Sequence, residues 1–129
     1  MNDDASTILL VEDDDAVATV VLRIMRRLDA HVEHVATGHD ALARVDRGGV
    51  DLLVLDLGLP DLDGAQVCLE ARDRGYTGPV LVLTAQHGAE PRERALSAGA
   101  DDYLNKPFSI ADLLDRVRPL LCGPSDRIA

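Results

Sequence analysis

The chain has 129 residues and a mass of 13.9 kDa, which suits one domain built on one core. Hydrophobic residues make up 47% and charged residues 28%, excluding a disordered tail and a membrane protein. The formal net charge is −10, from 23 acidic against 13 basic residues with no basic stripe, so direct contact with nucleic acid or an anionic membrane is not expected. No apolar run approaches the roughly 18 residues of a membrane span. The start, Met1-Asn2-Asp3-Asp4, is acidic where a secretory signal would be basic and then apolar, and a cytoplasmic location is expected. Neither Cys68 nor Cys122 belongs to a CxxC or Cys/His cluster, so both are expected to be packing or tail residues.

In chain order, residues 1–6 are expected to be a flexible tail and 7–121 a single domain. Ile8-Leu9-Leu10-Val11 is a continuous apolar run, the mark of a strand buried on both faces. A helix over about 14–28 follows, with Val17, Val20, Val21, Ile24 and Leu28 on one apolar face. His31–Val35 is a weaker strand, followed by Gly38 and a helix to about Arg47. Leu52-Leu53-Val54-Leu55 is the third strand, with a short helix from near Gly64 carrying Val67, Leu69 and Ala71. Val80-Leu81-Val82-Leu83 is the fourth, and its helix over about 90–98 ends at Gly99, a common carboxyl-terminal stop. Asp101–Leu104 is the fifth strand. The last helix runs from a cap at Ser109 through Leu113, Leu114 and Val117 to Leu121, with 122–129 as a tail or the start of a linker. Five strand–helix units imply right-handed crossovers and an α/β doubly wound parallel sheet, for which the expected order is 2-1-3-4-5, flavodoxin-like.

In such sheets the functional crevice lies beyond the carboxyl ends of the strands. The first strand delivers Glu12-Asp13-Asp14 there, the third Asp56, the fourth Thr84-Ala85, and the fifth is followed by Lys106-Pro107. Any one acid after a strand can be the amino cap of the next helix, and Asp14 fits that plainer role. Three carboxylates in one crevice are different. At ~5 Å and an effective dielectric of ~20 each like-charged pair costs ~3 kcal/mol, against a total stability of ~5–15 kcal/mol for a domain this size. Protonation, a nearby cation or a bound metal must therefore relieve them. Oxygen ligands without His or Cys favour Mg2+. Lys106, the one lysine among twelve arginines, is a compact point charge able to approach a carboxylate or a phosphate. A carboxylate beside a metal and an ammonium is equipped to accept a phosphoryl group, with the Thr84 hydroxyl as donor and the small Ala85 leaving room.

Other patterns carry less. Leu59–Glu70 mimics a calcium loop, with Asp61, Asp63, Gly64 and Glu70 at suitable spacing, but Leu59 cannot ligate at its first position. His31, His34, His39 and His87 show no helical i, i+4 pairing. A flavin site would need a Gly/Thr/Ser phosphate cradle after the first strand, where this chain has acids. An aspartyl-phosphate phosphatase would need a cap domain and a second acid two residues after Asp56. A pure interaction module of this fold that no longer takes phosphate would be expected to lack an acid or the lysine.

LLVEDD, LLVLDLGLPDLDG, VLVLTA and GADDYLNKPF together resemble the CheY-like receiver domain of two-component response regulators, over about Thr7 to Leu121. The resemblance implies a non-enzymatic switch phosphorylated on Asp56 by a sensor histidine kinase. It implies Mg2+ held by Asp13, Asp56 and the Gly58 carbonyl, with Glu12 acting through water. Lys106 would meet the phosphoryl oxygens beside Ala85, Thr84 and Tyr103 would form the switch pair, and Pro107 would carry a cis peptide. Gly58 and Gln86 stand where the family tunes how long the phosphate lasts. GADDYLNKPF and the final helix most resemble receivers of winged-helix (OmpR/PhoB-type) transcription regulators. Those pair through the fourth helix, fifth strand and fifth helix, and the matching positions are Arg92, Leu96, Asp102, Asp112, Leu114 and Arg116. Surface ion pairs supply only ~0–1 kcal/mol each, so Leu96 and Leu114 would have to provide the apolar contact. Glu93 stands where those receivers carry an apolar residue. An output domain or a downstream protein would read the switch.

Overall fold

The structure, a computed structural model, describes residues 6–128, with the backbone alone for 122–128. Five parallel strands alternate with five helices: β1 (Ser6–Val11), α1 (Asp15–Met25), β2 (Ala30–Val35), α2 (Gly38–Asp46), β3 (Leu52–Asp56), α3 (Gly64–Asp73), β4 (Val80–Thr84), α4 (Ala89–Ser97), β5 (Asp102–Asn105) and α5 (Ile110–Ile128). The strand order is β2-β1-β3-β4-β5, as the alternation of elements predicts. Leu10 of β1 aligns with His34 on one side and Val54 on the other, so β1, β3 and β4 lie inside the sheet and carry the continuous apolar runs.

Alternate residues of those runs serve different layers. Ile8, Leu10, Leu52, Val54, Leu81 and Leu83 pack with Val21, Ile24 and Met25 of α1 and Leu113 and Val117 of α5. Leu9, Val11, Leu53, Leu55, Val80 and Val82 pack with residues of α2, α3 and α4 on the opposite face. Both faces are covered, which is why no polar residue interrupts the strands. At roughly 1.5–3 kcal/mol for each fully buried aliphatic side chain, these layers supply the drive for folding.

Local signals set the helix ends. The Asp14 carboxylate accepts the Ala16 and Val17 amides, Thr37 accepts Asp40, and Asp63 accepts Ala65. At α5 the Ser109 hydroxyl accepts the Asp112 amide while the Asp112 carboxylate accepts Ser109 N–H, a reciprocal capping box. Gly99 follows α4 with φ 110, a conformation side-chain-bearing residues avoid. No helix among the described residues is long and apolar enough to cross a membrane.

Several boundaries and faces differ from the sequence expectation. Ser6 already belongs to β1, and residues 1–5 and 129 lie outside the described residues. β5 begins at Asp102, because the Asp101 carboxylate turns back to accept the Val80 amide at 2.9 Å. α5 continues past Leu121 to Ile128, through the segment expected to be a tail. Val20 and Leu69 are about half exposed rather than part of the apolar faces. Leu28 lies beyond α1 and packs on the core from the following turn.

At the amino ends of the strands Arg72 acts as a lock that no motif announces. Its guanidinium donates to the carbonyls of Gly99 (2.7 Å), Tyr76 (3.1 Å) and Gly78 (2.5 Å), and to the Asp101 carboxylate at 3.1 Å. It also lies 5.4 Å from the centre of the Tyr76 ring, within cation–π range. One side chain thereby ties the end of α3 to the loops before β4 and β5. Arg72→Met is expected to cost about 2–3 kcal/mol, because it leaves several carbonyls short of a donor; urea denaturation measures it. Burial pushes the Tyr76 phenol well above its ordinary range. The folded state therefore holds that proton more tightly, and the stability it contributes is complete below about pH 10 and lost as pH rises further. Tyrosinate absorbance from Tyr76 is expected to appear only together with the loss of helical circular dichroism.

Candidate functional site

The carboxyl ends of β1, β3, β4 and β5 bring the expected residues to one edge of the sheet. Asp56 is the last residue of β3, and Glu12 and Asp13 directly follow β1. One carboxylate oxygen from each of Glu12, Asp13 and Asp56 lies within 4.8 Å of the others. Glu12 is 1% exposed and Asp56 8%, whereas Asp13 faces solvent. Lys106 reaches in from beyond β5, its Nζ 2.6 Å from Glu12 Oε1 and 3.4 Å from Asp56 Oδ2. The Lys106–Pro107 peptide is cis.

Magnitudes show what the lysine does. Two carboxylates at 4.8 Å repel by about 3 kcal/mol at an effective dielectric of ~20. By the same rule an ammonium at 2.6 and 3.4 Å attracts by about 6 and 5 kcal/mol. Lys106 therefore offsets the Glu12–Asp56 repulsion. It does not offset the loss of water around Glu12: burial raises the Glu12 carboxyl above its ordinary value, outweighing the opposing Lys106 hydrogen bond and charge. With all four groups ionised, three carboxylates and one ammonium leave a charge of −2. Oxygen donors at that spacing fit a small divalent cation.

The loop after β3 is held by short local bonds. Gly58 N–H donates to Asp56 Oδ1 at 3.2 Å, and Gly64 N–H donates to the Leu57 carbonyl at 2.9 Å. A Cβ on Gly64 would overlap the Asp56 carbonyl oxygen and lie 2.7 Å from Leu57 Cα. Glycine is there for close backbone approach. Gly64→Ala is expected to cost at least about 1–3 kcal/mol through overpacking, with thermal unfolding as the readout.

On the other side of the crevice, Thr84 is fully buried and its Oγ1 accepts the Gln86 amide at 3.0 Å. Tyr103 is buried, with its hydroxyl donating to the Gln86 carbonyl at 2.6 Å. Asn105 Nδ2 donates to the same carbonyl at 2.7 Å, and Arg94 donates to Gln86 Oε1 at 3.2 Å while lying 3.5 Å from Asp63. Neither Asn105 nor Arg94 was expected here from sequence. An Asn beside the lysine, on the last residue of a strand, was the signal available for the first. Ala85 is exposed at the mouth of the site.

The residues expected on a dimer face are divided by the fold. Arg92, Leu96 and Asp112 are exposed. Leu114 is 6% exposed and packs in the core against the sheet, so it is not surface apolar area, because its position in α5 faces inward beside Leu113. Asp102 and Arg116 pair within the chain at 2.8 Å. A separate crevice of ≈ 730 Å³ lies at the amino ends of the strands. Its acids are engaged: Asp46 by Arg74, Asp51 by the Thr7 amide, and Asp101 by Arg72 and the Val80 amide.

The fold and site define a doubly wound (βα)5 protein with an acidic cluster and a lysine beyond its strand ends. Residues 8–118 match the response regulator receiver domain, and the chain belongs to that family. It is 46% identical over 114 residues to Response regulator MprA of Mycobacterium leprae, covering 88% of this chain and 50% of that protein. It is 40% identical over 114 residues to Transcriptional regulatory protein TrcR of Mycobacterium tuberculosis, covering 88% of this chain and 44% of that one. The expected kinship to OmpR/PhoB-type regulators is borne out, and the chain spans half or less of the length of these relatives. Among solved structures it is similar to the receiver domain of a Pseudomonas aeruginosa sensor histidine kinase, which has magnesium coordinated in its active site cleft. That match has a TM-score of 0.84 and 36% identity over 92% of this chain and 99% of that one.

Proposed function

We propose that the chain is a phosphoryl-accepting signalling switch, with Asp56 as acceptor and a sensor histidine kinase as donor in the cytoplasm. The observation that carries this reading is Asp56, 8% exposed, with two further carboxylates within 4.8 Å and the Lys106 ammonium at 3.4 Å. The site's residual charge of −2 is what one divalent cation neutralises. Asp13, Asp56 and the Gly58 carbonyl would hold Mg2+, with Glu12 acting through water, and the ion would supply positive charge beside the phosphoryl oxygens.

In the transfer an Asp56 carboxylate oxygen attacks phosphorus. The new P–O bond forms as the bond to the donor imidazole nitrogen breaks, and its electron pair stays on that nitrogen. Lys106 turns from the carboxylates toward the incoming oxygens, a short movement because Nζ already spans Glu12 and Asp56. Thr84 Oγ1 accepts the Gln86 amide, which leaves its own proton to donate to a phosphoryl oxygen. No external substrate is turned over.

The output runs through Gln86. Its N–H is held by Thr84 and its carbonyl by Tyr103, so a shift of Thr84 toward phosphate disturbs the tyrosine and the α4–β5–α5 surface. That surface is read by an output domain or a downstream protein. Moving the population from 1:99 to 99:1 takes about 5.5 kcal/mol of differential stabilisation. Incubation with acetyl phosphate and Mg2+ is expected to add one phosphoryl group by intact mass. Asp56→Asn or excess EDTA is expected to abolish uptake; equal uptake by Asp56→Asn overturns the assignment.

A further inference from the structure

The segment between β3 and α3 has no regular structure, yet Gly58 and Asp56 must keep fixed positions if they share a cation. One of its restraints comes from across the molecule. Asp61 Oδ1 accepts the Gly38 amide at 2.8 Å, and Oδ2 accepts the His39 amide at 2.9 Å. The His39 ring adds a contact from Nδ1 to Oδ2 at 2.6 Å. Those two amides open α2 and lack partners within the helix, while the next, Asp40, is taken by the local cap Thr37 at 3.1 Å. The backbone hydrogen bonds hold the Asp61 carboxyl far below its ordinary range.

The seat is close-fitting as well as polar. A Cβ on Gly38 would come 2.8 Å from Val67 Cγ2 and 3.0 Å from Leu62 Cβ. The start of α2 is thus pressed onto the residue after Asp61 and onto α3. Only Leu59 and Pro60 separate Asp61 from Gly58, and the fixed φ of proline makes that link short and stiff.

We infer that Asp61 is a positioning residue for the acceptor loop: by tying it to the first turn of α2, it holds Gly58 where its carbonyl can join Asp13 and Asp56. This rests on the proposed phosphoryl-acceptor reading. Asp61 touches neither cation nor phosphate; it acts through the loop. A purely structural role, capping α2, would give the same hydrogen bonds, and Thr37 supplies the control. Thr37→Ala removes a cap from the same helix without touching the loop.

The test uses the whole chain, with Mg2+ affinity from isothermal titration calorimetry, acetyl phosphate uptake by intact mass, and thermal unfolding. Asp61→Ala is expected to weaken Mg2+ binding about tenfold, the lower end for groups that orient metal ligands, and to slow uptake. Asp61→Asn keeps one acceptor oxygen and is expected to fall between wild type and Asp61→Ala. Thr37→Ala is expected to lower the Tm by a few degrees while binding Mg2+ within about twofold of wild type. Wild-type Mg2+ affinity in Asp61→Ala, or equal weakening by Thr37→Ala, overturns the inference. Failure of the wild-type chain to bind Mg2+ overturns the reading beneath it.

Discussion

The ammonium shared by Glu12 and Asp56 is the contact on which the upper edge of the sheet depends. It joins residues 94 apart in the chain, across a sheet in which β3 and β4 lie between β1 and β5. Glu12 is 1% exposed, and a carboxylate that deep is tolerable only with a partner at hydrogen-bonding distance. The partner is available only if β5 pairs with β4 in the observed register, Thr84 against Asn105, which sets Lys106 one residue beyond. Sheet order, register and the acidic site are therefore a single constraint. A slip of β5 by one residue would strand a buried charge and also turn Leu104 away from its layer of the core.

The two ends of the strands solve opposite problems. At the amino ends carboxylates and carbonyls are matched with donors: Asp51 with Thr7 N–H, Asp101 with Val80 N–H, and three carbonyls with Arg72. At the carboxyl ends three acids cluster, and one lysine is shared by two of them, Glu12 and Asp56. The electrostatic strain kept at that edge is affordable because the core layers and the lower lock are complete. The same negative charge that would weaken the fold suits that edge to a divalent ion, and on the proposed function the ion and Lys106 would then receive the phosphoryl oxygens.

Much of this was legible because strands and their ends obey simple rules. Runs such as Leu52–Leu55 are long enough and apolar enough to be central strands, and whatever follows them must sit at the functional edge. Thus the sequence alone places Glu12, Asp13, Asp56, Thr84 and Lys106 together. Helix faces were less legible. Periodicity shows that an apolar stripe exists, but its covered width depends on the neighbouring helix, so Val20 stays exposed while Leu114 is buried. Arg72 and Asp61 are illegible for a different reason: most of their partners are backbone groups, and a backbone carbonyl or amide leaves no mark in the sequence. Asp61 even lay within the false calcium-loop pattern, where spacing pointed to the wrong chemistry.

On the proposed function, Gln86 is the residue through which a chemical event at one carboxylate would reach the α4–β5–α5 surface. Its N–H is taken by Thr84, its carbonyl by Tyr103 and Asn105, and its side chain by Arg94, which also approaches Asp63 of the acceptor loop. Its N–H and its carbonyl lie in the two successive peptide planes that meet at its α-carbon. A movement of Thr84 that drew on the N–H would therefore reach the carbonyl and its two donors through the φ and ψ of Gln86. A rotation that turned the carbonyl away would leave both donors in need of new acceptors or water. Tyr103, 8% exposed against the α4 layer, would feel that change directly, because its ring could follow its hydroxyl only by repacking. Interactions complete in either end state and broken between them give a two-state element, and on the proposed function Gln86 would be that element, between the acceptor and the α4–β5–α5 surface.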